Sequence, residues 1–177
     1  DYDSVIIAAG IYPRMPNIPG ISHPSVMTYL EALHGKREIG QRVAIIGAGG
    51  IGIDMATWLC GEVHHFSSYW GIDLKVAHPG GVMASLVPPI QREVTILQRK
   101  KSRIGAHLGK TTGWIHRLEL KKWGVKSITG VEYQKIDDDG LHIIVNGQSR
   151  VLDVDSIILC AGQEERQDLY QQLQEKG

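Results

Sequence analysis

The sequence lacks net charge, long apolar runs and cysteine pairs. Nineteen basic side chains balance nineteen acidic ones over 177 residues, which excludes a globally basic nucleic-acid binder and a strongly acidic tail. No apolar run approaches the ~18 residues of a bilayer-spanning helix, and no secretory signal pattern opens the chain. The two cysteines, Cys60 and Cys160, both stand inside apolar segments, and thiols so placed read as buried and reduced. The expectation is a soluble, cytoplasmic, globular chain with neither a nucleic-acid nor a membrane partner. Its length suits one ordinary domain, or one domain with pieces of a neighbour.

Charge is balanced overall but not locally. Arg99, Lys100, Lys101, Arg103, Lys110, Arg117, Lys121, Lys122 and Lys126 lie in one stretch whose only acid is Glu119. Such a block is either a solvated face or an anion site, and its distance from the next motif decides between them.

An apolar segment is repeated. Asp3 to Gly10 reads DSVIIAAG, and Asp155 to Gly162 reads DSIILCAG. An acid, a β-branched run and a small-Gly ending describe a central parallel strand whose carboxyl end approaches a ligand. Two copies suggest duplicated architecture, or two strands doing the same job in two related domains, with Ala9, Gly10, Ala161 and Gly162 near cofactor. The chain starts without Met and almost at once with a buried-type strand, so the expectation is a piece of a longer protein.

The most informative stretch runs from Gln41 to Cys60. Val43 to Ile46 forms a buried strand, then Gly47-x-Gly49-x-x-Gly52 leads into a helical pattern carrying Ile51, Met55, Trp58 and Leu59. Gly47 makes the sharp turn, Gly49 lets backbone approach a pyrophosphate, and Gly52 lets the helix pack on its strand. The free N–H groups of Ala48, Gly49, Gly50 and Ile51 face the phosphates. Asp54 is read as compensating the helix dipole from its first turn.

A ribose-gripping acid belongs at the end of the second strand. That strand, Glu93 to Leu97, ends instead in Gln98-Arg99-Lys100-Lys101-Ser102-Arg103. An uncharged end followed by cations suits a ribose 2′-phosphate, so Arg99, Lys100 and, less directly, Arg103 point to NADPH. The stretch from Gly105 to Thr112 imitates a nucleotide P-loop but has three residues between its glycines where four are needed. An NTPase is rejected, and Thr111 or Thr112 is read as the cap of a helix over residues 114–120. His64 and His65 diverge, no acid or cysteine stands at ligand spacing, and His116 reads as packing or surface. No metal is expected.

Residues 62–91 show no clear period, leaving a lid, an interdomain contact or disorder equally open. Beyond them the pattern gives a third parallel strand at 125–129. An antiparallel meander over 131–153 follows, and then the 156–160 strand. The fold class is therefore α/β, a Rossmann-like parallel sheet with a three-stranded meander crossover.

That order resembles the pyridine-nucleotide domain of two-dinucleotide flavoprotein reductases. Residues 1–40 then correspond to the end of an FAD-domain segment with its crossover linker, 41–162 to the NADPH domain, and 163–177 to the return. More narrowly, Leu97 to Lys100, Leu108 to Arg117, Tyr133 to His142 and Cys160 to Glu164 resemble bacterial NADPH-dependent 2,4-dienoyl-CoA reductases. The resemblance implies FAD, FMN and a 4Fe-4S cluster in the whole enzyme, an FMN barrel holding the dienoyl-CoA substrate, and a role in fatty-acid β-oxidation. This chain would bind NADPH and be inactive alone, its partners being the FAD domain and barrel of the same polypeptide. A related enoate reductase or amine dehydrogenase, or a non-catalytic dinucleotide-binding module, remains the alternative.

Overall fold

The computed structural model describes residues 3–63 and 65–175; the expectation for His64 lies outside them. A short strand β1 (Ile11–Pro13) precedes β2 (Val26–Thr28) and α1 (Tyr29–Leu33). Then come β3 (Arg42–Ile46), α2 (Gly50–Cys60), α3 (Phe66–Trp70), β4 (Glu93–Gln98), α4 (Gly113–Lys122) and β5 (Lys126–Thr129). The meander β6 (Val131–Asp137), β7 (Gly140–Val145) and β8 (Gln148–Leu152) leads to β9 (Ser156–Leu159), β10 (Gln163–Glu165) and α5 (Asp168–Glu175).

The core is a parallel sheet of order β2-β9-β3-β4-β5. Its inner strands β9, β3 and β4 are mostly apolar on both sides because both faces are covered. Val43 and Ile45 point into a helix-side cluster with Met55, Leu59, Leu120 and Trp123. Ala44 and Ile46 point the other way, to Val131, Leu141 and Ile143 of the meander. The α/β class with a meander crossover is what the sequence pattern requires. Asp155, the leading acid of the second repeat, has a mechanical role: its carboxylate accepts from the Arg42 backbone N–H at 2.7 Å and pairs with the Arg42 guanidinium at 2.6 Å. Asp153 pairs with the same guanidinium, so the starts of β3 and β9 are tied together.

Several expectations need correction. Residues 4–10 form no strand; Val5 and Ile6 are 74% and 93% exposed. A strand exists by pairing, and no strand among the described residues takes this segment up. Instead β1 pairs antiparallel with β10, Ile11 opposite Glu165. Within the stretch read as crossover linker, β2 adds a fifth parallel strand, and Val26, Met27, Tyr29 and Ala32 are buried. A capping box starts α1. The Glu31 N–H donates to Thr28 Oγ1 at 3.2 Å, and the Thr28 N–H donates to the Glu31 carboxylate at 2.8 Å, which is worth about 1 kcal/mol. That backbone hydrogen bond is also the main reason the Glu31 pKa is lowered. Helix α2 begins at Gly50, so Asp54 lies beyond its first turn and compensates no dipole there. Thr112 does occupy the N-cap position of α4, but its backbone is already helical and its side chain makes no cap hydrogen bond.

The aperiodic 62–91 stretch is anchored. Tyr69 is buried against Trp123, ring centroids 5.9 Å apart. The Lys122 ammonium lies 4.5 Å from the Tyr69 ring centroid and donates to the Tyr69 carbonyl at 2.6 Å and to Ser85 Oγ. Asp73 closes the next loop by accepting from the N–H groups of Lys75 and His78, each at 2.9 Å.

Candidate dinucleotide site

The order of the sheet reverses between β3 and β9, and a cleft of ≈ 360 Å³ opens at the carboxyl ends of β3, β4 and β9. Ligands of open α/β sheets bind at such a switch point. The fingerprint glycines divide the work of shaping it. Gly47 adopts φ +113°, and a Cβ there would fall 2.2 Å from the Cys160 carbonyl oxygen; on Gly52 it would fall 2.0 Å from the Gly47 carbonyl oxygen. Both are needed so that chain can pass chain. At Gly49 and Gly50 an added Cβ would meet nothing within 4 Å, which leaves open space at the start of an 11-residue helix with no side-chain cap. The first N–H groups of such a helix are unsatisfied donors carrying partial positive charge. These are the features a pyrophosphate needs.

Charge around the cleft has one sign. Arg99 and Lys100 line it and are exposed, with no side-chain hydrogen bond or ion pair among the described residues. No carboxylate lines it. Gln98, where a ribose-gripping acid would stand, turns its amide back to donate to the carbonyls of Lys100, at 3.1 Å, and Ser102. That curls the basic loop, and Arg103 falls in a separate groove with Lys101, Arg117 and Lys121.

The structure brings Gly47, Ala48, Gly49, Gly50, Arg99, Lys100, Ala161 and Gly162 to one cleft. Ile51 and Gly52 are set back; Ile51 packs against the helix-side core and Gly52 is buried. Ala9 and Gly10 lie apart from the cleft, in the exposed segment before β1, where the Gly10 carbonyl accepts from the Arg166 N–H. The sequence reading missed the loop from Gly105 to Leu108, which forms one wall, and Tyr133, which reaches the cleft from β6. The glycine at position 105 was the readable hint; it adopts φ +69°, which suits a sharp loop. Cys160 also lines the cleft; burial pushes its thiol up to about 12, so it is a neutral wall.

Two other groups lie elsewhere. His116 Nδ1 stands 3.8 Å from Glu119 on α4 and does not line the cleft. The β6–β7 hairpin gathers ligand atoms of Asp137, Asp139 and His142 within 4.8 Å of one another, Asp139 exposed and the other two partly buried. Lys135 Nζ is 2.6 Å from the Asp137 carboxylate and, with His142, holds its pKa at about 2.

A parallel sheet with a glycine bend at its switch point, bordered by unpaired cations, defines a dinucleotide-binding α/β domain. The chain belongs to the pyridine nucleotide-disulphide oxidoreductase family, whose model matches residues 1–176, and membership implies FAD and NAD(P)H as cofactors. It is 27% identical to a metal reductase of Desulforamulus reducens, covering 99% of this chain and 26% of that protein. A mercuric reductase of Staphylococcus aureus is 29% identical over 90% of this chain and 24% of its own length. Among solved structures, a 2-naphthoyl-CoA reductase in complex with 2-naphthoyl-CoA superimposes with a TM-score of 0.70. The two are 23% identical over 92% of this chain and 20% of that one. The chain thus spans about a quarter of the length of these curated relatives. Among the described residues, no helix is long and apolar enough to cross a membrane.

Proposed function

We propose that the chain is the NADPH-binding portion of a multi-cofactor flavoprotein that passes a hydride from NADPH to FAD. One observation carries the choice of NADPH: Arg99 and Lys100 stand unpaired at the lip of a cleft with no carboxylate. A ribose hydroxyl pair calls for an acceptor there, whereas a 2′-phosphate calls for cationic donors. When bound, the nicotinamide supplies the hydride; the protein supplies position and field. The free N–H groups at the start of α2 hold the pyrophosphate, and Arg99 and Lys100 hold the 2′-phosphate. Ala161 and Gly162, at the end of β9, leave the far end of the cleft without a bulky side chain.

The final acceptor in this reading is a 2,4-dienoyl-CoA, reduced in fatty-acid β-oxidation in the cytoplasm. FMN and a 4Fe-4S cluster sit in a barrel of the same polypeptide. Its support is the resemblance of residues 108–117 and 133–142 to dienoyl-CoA reductases, together with the fold shared with a 2-naphthoyl-CoA reductase. Two measurements test the proposal. Titration with NADPH and NADH should favour NADPH, and equal affinity would overturn the phosphate assignment. The whole enzyme should show flavin and iron–sulfur absorbance and oxidise NADPH with a dienoyl-CoA; a colourless folded protein would overturn the multi-cofactor reading.

A further inference from the structure

Tyr133 poses a problem that the proposed site resolves. Its hydroxyl oxygen is buried and has no hydrogen-bond partner. Buried polar groups are paired in the great majority of cases, so an unpaired one needs a physical explanation. Three side-chain atoms share this state among the described residues: Tyr69 Oη, Arg92 Nε and Tyr133 Oη. Only Tyr133 lines the dinucleotide cleft. Tyr69 is packed in the aromatic cluster beneath Lys122, and its burial there serves packing.

The placement of Tyr133 is specific. Its ring packs against the meander-side core and is half-buried at the cleft. Between Tyr133 and Lys135 the β6–β7 register slips by one residue, and such bulges re-aim side chains beside sites. Burial pushes the phenol pKa up, and the charge of Arg99 pulls it down by less. The group therefore stays an O–H donor at neutral pH. The Tyr133 hydroxyl and the Arg99 guanidinium can both donate and line the same cleft, and an anion is a partner that both can share.

We propose that Tyr133 is a recognition residue for the phosphorylated ribose, its hydroxyl donating to the same phosphate that Arg99 and Lys100 engage. The inference rests on the NADPH reading above and adds a neutral donor to it. The hydroxyl is buried, so side chains around it must shift for an anion to reach it. Pairing then removes the desolvation cost that the unliganded protein carries.

Tyr133→Phe deletes only the oxygen. Calorimetric titration of the protein with NADPH, NADH and adenosine 2′,5′-bisphosphate reads the effect directly, alongside the thermal midpoint without ligand. The variant should bind NADPH and the bisphosphate about tenfold more weakly, as for loss of a hydrogen bond to a charged group. NADH affinity should stay within about twofold, and the ligand-free midpoint should hold or rise because an unpaired buried group is gone. Unchanged NADPH affinity would overturn the proposal. Equal losses for NADPH and NADH with a lowered midpoint would also overturn it, by assigning Tyr133 to packing alone. Failure of the unaltered protein to bind NADPH would instead remove the parent reading, and that result appears before any variant is compared.

Discussion

The carbonyl oxygen of Cys160 lies 2.2 Å from where a Cβ on Gly47 would stand, so the end of β9 leaves no room for a side chain at the bend after β3. The contrast with Gly49, which faces open space, separates architecture from binding. Gly47→Ala should cost about 3 kcal/mol of stability, through its positive φ and the backbone clash together. Gly49→Ala should leave the unfolding midpoint unchanged and weaken NADPH at least about tenfold by filling space meant for phosphate. Denaturant melts paired with nucleotide titrations distinguish the two.

Arg99 and Lys100 are the unpaired cations of the cleft. Arg99→Ala should weaken NADPH about tenfold or more while NADH changes little, so the ratio of the two affinities falls. Raising the salt concentration should erode the NADPH preference of the unaltered protein, since exposed charges are screened. A preference insensitive to both changes would place phosphate recognition elsewhere.

Both thiols are buried, and desolvation pushes Cys60 up to about 11 and Cys160 to about 12. The unfolded chain ionises its cysteines near pH ~8.5. The stability gained by keeping them neutral is therefore full below that pH and is lost as pH climbs toward the folded values. Thermal midpoints should fall from about pH 9 upward, and Cys160→Ala should flatten part of that fall. At pH 8 a thiol reagent should react with the native protein far more slowly than with the unfolded chain.

Lys122 holds the 62–91 segment to α4 through the rings of Tyr69 and Trp70 and the Tyr69 carbonyl. Lys122→Ala removes contacts worth about 1–2 kcal/mol. Proteolysis within that segment should accelerate, and NADPH affinity should stay within about twofold, because none of the segment's described residues lines the cleft. Mass mapping of early cleavage sites reads the result.

Elements built from local rules were legible in the sequence. The glycine bend, the helix after it, β4 with its basic end, and the meander with its Asp-Gly and Asn-Gly turns all announce themselves through period and turn chemistry. What escaped depended on partners distant along the chain. DSVIIAAG and DSIILCAG are nearly the same string, yet the second lies between β2 and β3 while the first has no neighbouring strand among the described residues. Val26 to Thr28 is too short to signal a strand, although Thr28 and Glu31 did carry a readable capping box. Arg103 belonged to the right charge run but followed a loop whose curl is set by the Gln98 amide, and no charge pattern encodes that. Tyr133 reached the cleft through a slipped register, which sequence alternation conceals.

The two-stranded ribbon of β1 and β10 has a consequence for assembly. Arg14 donates its N–H to the Gly162 carbonyl, and Arg166 donates to that of Gly10, so the paths into and out of the α/β unit run side by side. A unit whose doorway and exit coincide can be spliced into a surface loop of a host without prying that host apart.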